Sequence, residues 1–170
     1  MPLKLTPAAI ERQVKTKTNQ VSDDVMREAV SAILTRPRKI DRTYDIPYVA
    51  GYSKDGRTVF IDRHLPLEMN IGRVRQRIIP YLVVHEMVEK SLLDEMRLHY
   101  LHAHQIALRA EQAAVRAAGI GWRADDRFMK TNEKKIGDER LRRVPSTLDL
   151  TPYRDEHDFE ELQNLTRAKG

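Results

Sequence analysis

Residues Ile78 to Met96 form an apolar run broken by ionisable groups at places a helix cannot hide. Leu82, His85, Glu89, Leu92 and Met96 recur at spacings of three and four, so on a helix they share one face. That face must be buried, yet it carries an imidazole and a carboxylate one turn apart. Burying either without a partner is costly. Any fold of this chain must therefore pack another element on this face and bring it groups that satisfy both.

The next segment offers such groups. Tyr100 to Ala118 is rich in Ala and Glu, and Gly119 supplies a helix stop. Tyr100, His104, Leu108, Glu111, Val115 and Ala118 fall on one face, again an apolar stripe with an imidazole and a carboxylate. The connection near Leu98 is short, which makes the two helices antiparallel neighbours. His85 and Glu111 lie equally far from Leu98, and Glu89 and His104 are about one turn from level. The expected result is an interhelical cluster of His85, Glu89, His104 and Glu111. Two imidazoles and two carboxylates can hold a divalent metal. They can equally form two buried hydrogen-bonded pairs, His85 with Glu111 and Glu89 with His104, that set the register of the helices.

The rest of the chain reads as a frame for this pair. Residues 1–20 are expected to be a loosely held arm. Ser22-Asp23-Asp24 offers an N-cap for a helix through Leu34, closed by Pro37. Lys54-Asp55-Gly56 is a turn between two β-prone stretches, predicting a hairpin of 47–53 with 57–63. The central helix starts either at Pro80 or near Gly72 with a kink at Pro80. Asp125 to Ile136 reads as helical, Trp122 and Phe128 as anchors to the core, and Thr151 onward as the opening of a short final helix through Leu165. The expected fold is a single α+β domain over 1–170, mostly helical, with a β-hairpin packed on a central antiparallel helix pair. Residues 21–150 form its core and 151–170 a C-terminal extension.

With no cysteine in 170 residues, disulfides, thiolate metal sites and cysteine nucleophiles are excluded. No apolar run has the length of a membrane span, and Met1 to Leu5 lacks a secretory h-region, so the expected location is cytoplasmic. The net charge of +5 permits weak nucleic-acid contact, with Arg73, Arg75 and Arg77 as the densest basic patch. No nucleotide-binding glycine loop or nucleophile elbow is present. His99 and His102 read as solvated, Asp62 and His64 as turn-capping, and His157 as part of an acidic helix start.

The order His85-Glu86-Met87-Val88-Glu89 is close to His-Glu-x-x-His, in which two imidazoles bind zinc and the Glu activates a water. Here a carboxylate stands in place of the second imidazole, and two His with one Glu is a known catalytic set. With a hairpin before this helix and His104 on the next, residues 44–112 resemble the zincin metallopeptidases, the gluzincin branch in ligand types. The resemblance implies that His85, Glu89 and His104 hold a divalent metal, zinc first, and that Glu86 is the general base. It also implies a strand Thr58 to Asp62 flanking the cleft, and a peptide or protein substrate. The competing expectation is a non-catalytic protein in which the His/Glu cluster is structural and the basic surface contacts nucleic acid or a partner protein.

Overall fold

The expected hairpin is present, and it is one half of a larger frame. In the computed structural model, which describes residue 37, residues 39–155 and residues 159–167, strand β2 (Ala50–Tyr52) pairs antiparallel with β3 (Thr58–Ile61) in the register Ala50↔Ile61, Gly51↔Phe60 and Tyr52↔Val59. The strands are shorter than the expected 47–53 and 57–63. Pro47 lacks an N–H for the ladder, and Pro47–Val49 is a 3₁₀ turn in which Tyr48 and Val49 take φ of 57° and 68°. The turn at Gly56 (φ 69°) falls where the Asp-Gly signal places it. The arm, the helix expected over 22–34 and His157 lie outside the described residues.

Two further pairings carry no strong sequence signal. β1 (Lys39–Asp41) runs parallel to β3, so the sheet order is β1-β3-β2 and β3 is central. A second hairpin, β4 (Glu68–Ile71) and β5 (Val74–Arg77), turns at Gly72 with φ 59°. It holds Arg75 and Arg77 on a strand and Arg73 at its tip, all three exposed. The period of two in these arginines was the available clue.

Helix α1 (Ile79–Glu95) starts directly after β5 with Pro80 in its first turn, which removes the alternative start at Gly72. It is buried nearly all round, as expected of a helix at the centre of a structure. Its end is a left-handed residue, Arg97 (φ 56°), with Leu98 N–H donating to the Leu92 carbonyl at 3.2 Å. Helix α2 (Tyr100–Ala117) follows, its first turn capped by His99 Nδ1, which accepts from Leu101 N. Contacts of His85 with Glu111 and of Glu89 with His104 show that α1 and α2 are antiparallel.

The buried face of α2 is Ala103, Ala107, Glu111, Ala114 and Val115. It is rotated from the expected stripe, because the small alanines allow close packing against α1, while Leu108 is left at the edge, 41% exposed. Helix α3 (Trp122–Gly137) begins three residues earlier than expected and packs Trp122, Phe128 and Met129 on the main core.

A second apolar cluster joins Ile46, Phe60, Val144, Leu148, Tyr153 and Leu162, the last from α4 (Phe159–Arg167). Segment 147–153 lies along the outer edge of β2, with Asp149 N–H donating to the Tyr52 carbonyl at 2.9 Å and Lys54 N–H to the Thr147 carbonyl at 2.9 Å. Gly51 is required here: a Cβ at this position would stand 2.9 Å from the Tyr153 hydroxyl and 3.1 Å from Leu148. Buried Lys90 ties the same segment to α1, donating to Asp149 at 2.7 Å and Asp94 at 3.0 Å. The architecture is α+β, and among the described residues no helix is long and apolar enough to cross a membrane.

Candidate metal centre

The helical spacing of α1 puts His85 and Glu89 one above the other, facing α2. On α2, His104 and Glu111 stand seven residues apart, two turns on the same side. Antiparallel packing joins them in two levels. Glu111 Oε2 lies 2.8 Å from His85 Nδ1. Glu89 Oε2 lies 2.9 Å from His104 Nδ1. The sheet adds a fifth group: Tyr52 of β2 donates its hydroxyl proton to Glu89 Oε1 at 2.8 Å.

These bonds assign each atom a direction. Glu111 occupies Nδ1 of His85, so Nε2 points the other way, toward Glu89 Oε2 at 3.6 Å and His104 Nδ1 at 3.3 Å. Tyr52 occupies one oxygen of Glu89 and leaves the other for the same spot. His85 Nε2, Glu89 Oε2 and His104 Nδ1 therefore converge, with edges of 3.6, 2.9 and 3.3 Å. A tetrahedral ion with bonds of about 2.0–2.1 Å has donor–donor edges of roughly 3.3–3.4 Å. The three atoms thus approximate one face of such a coordination shell, and His85, Glu89 and His104 are a group able to hold a metal ion. Glu111 is not in that group. It sits on the far nitrogen of His85, where a carboxylate orients a ligand imidazole.

The electrostatics call for a cation at this spot. Burial alone would make the His85 imidazole less basic, but its contacts with Glu111 and Glu89, with the Glu86 charge nearby, raise it to about 10. Burial also opposes the charge on Glu89, yet bonds with His104, His85 and Tyr52 hold its carboxyl down at about 2. An imidazole raised to about 10 carries both protons near neutral pH, Nδ1–H on Glu111 and Nε2–H toward Glu89, and a metal ion at this spot would take the place of the Nε2 proton.

Glu86 follows His85 by one residue, which places it about 100° around α1 from the His85–Glu89 stripe. It is nonetheless buried, because α1 is covered on all sides, and it lines the same cavity as His85, Glu89 and His104. Burial, reinforced by the Glu89 and Glu111 charges and countered by His85, pushes its carboxyl up to about 8. Among the described residues it makes no hydrogen bond or ion pair. The cavity has a volume of about 390 Å³. Tyr48 and Ala50 bound it on the sheet side, Tyr100 and Leu108 on α2, and Trp122 and Glu133 on α3.

The strand beside this cavity is β2 with its preceding turn. The expected flank, Thr58 to Asp62, is excluded by topology, since β3 is hydrogen-bonded on both sides. Tyr52 and Tyr153 were not anticipated as neighbours of the site. Strand alternation could have pointed Tyr52 inward, whereas nothing local signals Tyr153.

Asp45, Asp62, His64 and His102 lie outside this cavity. Asp62 accepts from Ile46 N and His64 N, both at 2.8 Å, and Asp45 accepts from Arg63 and from the backbone of Arg142 and Arg143. Asp62 thus caps its own turn, as expected, while Asp45 ties the 142–143 backbone to Arg63 and the exposed His64 meets Glu139 at 2.8 Å; the three also offer donor atoms close enough to hold a cation. His102 is exposed. Comparison of the chain with protein-family models, curated proteins and solved structures finds no match.

Proposed function

We propose that this chain is a metal-dependent hydrolase acting on peptide bonds, with His85, Glu89 and His104 as metal ligands and Glu86 as general base. The observation that carries this reading is the convergence of three donor atoms at tetrahedral spacing beside a buried carboxylate that has no hydrogen-bond partner among the described residues. Two imidazoles and a carboxylate favour zinc. A bound zinc ion supplies Lewis acidity to a water and to the substrate carbonyl. The chain's own groups do the rest. Glu86 accepts the proton of the attacking water and passes it to the leaving nitrogen. Glu111 holds His85 with Nε2 turned to the site. Tyr52 holds Glu89 by one oxygen. The α3 wall restricts entry of bulk water.

Elemental analysis of protein purified without chelator or added metal tests the premise, with about one ion per chain expected. His104→Ala should lose that ion while keeping the fold, because the His104 side chain is 42% exposed and little packing depends on it. An unchanged metal content in His104→Ala would assign the third ligand elsewhere. Tyr52→Phe should weaken metal affinity by about 10- to 100-fold, the usual worth of a group that orients a ligand. Competition with a chromogenic chelator measures this, and equal affinity would show the Tyr52–Glu89 bond to be idle.

A second reading is favoured by the two close contacts at 2.8 and 2.9 Å. In it the cluster is a pair of structural hydrogen bonds, no metal is bound, and the exposed arginines of the β4–β5 hairpin make a weak nucleic-acid or protein contact. Metal-free protein with an intact fold would establish it.

A further inference from the structure

A second cavity adjoins the candidate metal centre and shares Tyr48 and Tyr153 with it. Tyr48 and Tyr153 stack with ring centroids 5.7 Å apart and planes 13° apart. Both rings line the metal cavity and also an adjoining cavity of about 470 Å³. Ile136 of α3, Leu141, and Phe159 and Leu162 of α4 give this second space an apolar floor, and Lys130, Glu133, Lys134 and Glu139 stand on its border. Charged groups on its border are in part committed, with Glu139 bound to His64 at 2.8 Å and Lys130 to Asp126 at 2.8 Å. The backbone carrying Tyr48 is unusual. Tyr48 and Val49 are consecutive non-glycine residues at positive φ. For a β-branched residue such as Val49 this is rare, and it persists only where the surroundings impose it. Its effect here is to lay the half-exposed Tyr48 ring on Tyr153 at the boundary between the two cavities.

We propose that the second cavity is a subsite for a large apolar side chain of the substrate, aromatic or long aliphatic, next to the bond that is cut. The Tyr48–Tyr153 stack is the dividing wall that sets the distance from that side chain to the metal centre. This rests on the hydrolase reading for its link to cleavage. Among the described residues no side chain fills this recess, and a recess with an apolar floor beside a candidate reaction centre is a place where a substrate side chain can be held. Its walls offer faces and few free polar atoms; the Tyr153 hydroxyl is turned away to the Ala50 carbonyl, at 3.4 Å. Such a site selects for apolar bulk.

Gly137 provides a clean test. It ends α3 and lines the cavity, and a Cβ added there meets no atom within 4 Å. Gly137→Trp should fill the space from its border without disturbing the fold. Binding of N-acetyl-phenylalaninamide and N-acetyl-alaninamide is followed by amide chemical shifts in ¹⁵N-labelled protein. The phenylalanine probe should bind at least about tenfold more tightly than the alanine probe, with shifts centred on Gly137, Leu141 and Leu162. In Gly137→Trp its affinity should fall by about tenfold. Equal affinities for the two probes, or undiminished binding in Gly137→Trp, would overturn the proposal. The same two proteins are then given a peptide library with zinc. Selective probe binding without cleavage of any peptide keeps the apolar site and removes the hydrolase reading. Metal-dependent cleavage indifferent to apolar residues does the reverse.

Discussion

Glu86→Gln is expected to remain folded and metal-loaded while its hydrolytic rate falls by roughly two to four orders of magnitude, the usual contribution of a general base. The substitution keeps shape and hydrogen-bonding capacity but removes the group that accepts a proton. Glu86 shares the cavity with the ligand atoms but is not among the three that converge, so metal content should not change. Stability should not suffer either. Burial, with the charges of Glu89 and Glu111, pushes the wild-type carboxyl up to about 8, so without a bound cation it is largely uncharged near neutral pH and the amide replaces a neutral group. The experiment compares initial rates on a cleavable peptide, with zinc content and melting temperature as controls. Full activity in Glu86→Gln would end the proposed mechanism even with a metal bound. Loss of the metal would instead make Glu86 a ligand.

His85→Ala should have the largest effect on stability. His85 is buried and bridges Glu111 on one nitrogen and Glu89 and His104 on the other. Removing it strands Glu111, itself buried, without its hydrogen-bond partner. Breaking one side of a buried ionic pair costs about 3–5 kcal/mol. Metal-free His85→Ala should therefore unfold at much lower urea than wild type, whereas metal-free His104→Ala should stay close to it. The double variant His85→Ala/Glu111→Ala should recover part of the loss, because Glu111 is then no longer left buried without its partner. Equal stability of metal-free His85→Ala and wild type would show that the Glu111 contact holds nothing together. The contrast between the two histidines separates the one whose loss strands a buried partner from the one whose partner, Glu89, still keeps Tyr52 and His85.

The four residues His85, Glu89, His104 and Glu111 were legible as a cluster because helical period and loop length are local quantities. A repeat of 3.6 puts 85 and 89 on one face, and a short connection at 96–99 folds 104 and 111 back onto it. The hairpin was legible from Asp55-Gly56 and the alternation that follows. Strand β1 was not, because three residues hold too little pattern to distinguish a strand from a loop. The burial of Glu86 was hidden for another reason. Its position on α1 places it off the ligand stripe, and only the packing of the sheet, α3 and the 147–153 segment around the helix turns that second face inward as well.

By itself, then, the sequence determined which side chains meet between α1 and α2, since spacing along a chain limits where neighbouring helices can touch. Tertiary structure alone decided the chemistry of each atom. Glu111 takes the outer nitrogen of His85, Tyr52 takes one oxygen of Glu89, and β2 in place of β3 borders the cavity. Tyr153 closes one side from more than a hundred residues beyond Tyr48. Contacts over that separation arise from the joint burial of Ile46, Phe60, Leu148 and Leu162 in one apolar cluster. Such burial is non-directional and leaves no periodic trace in the residues that share it.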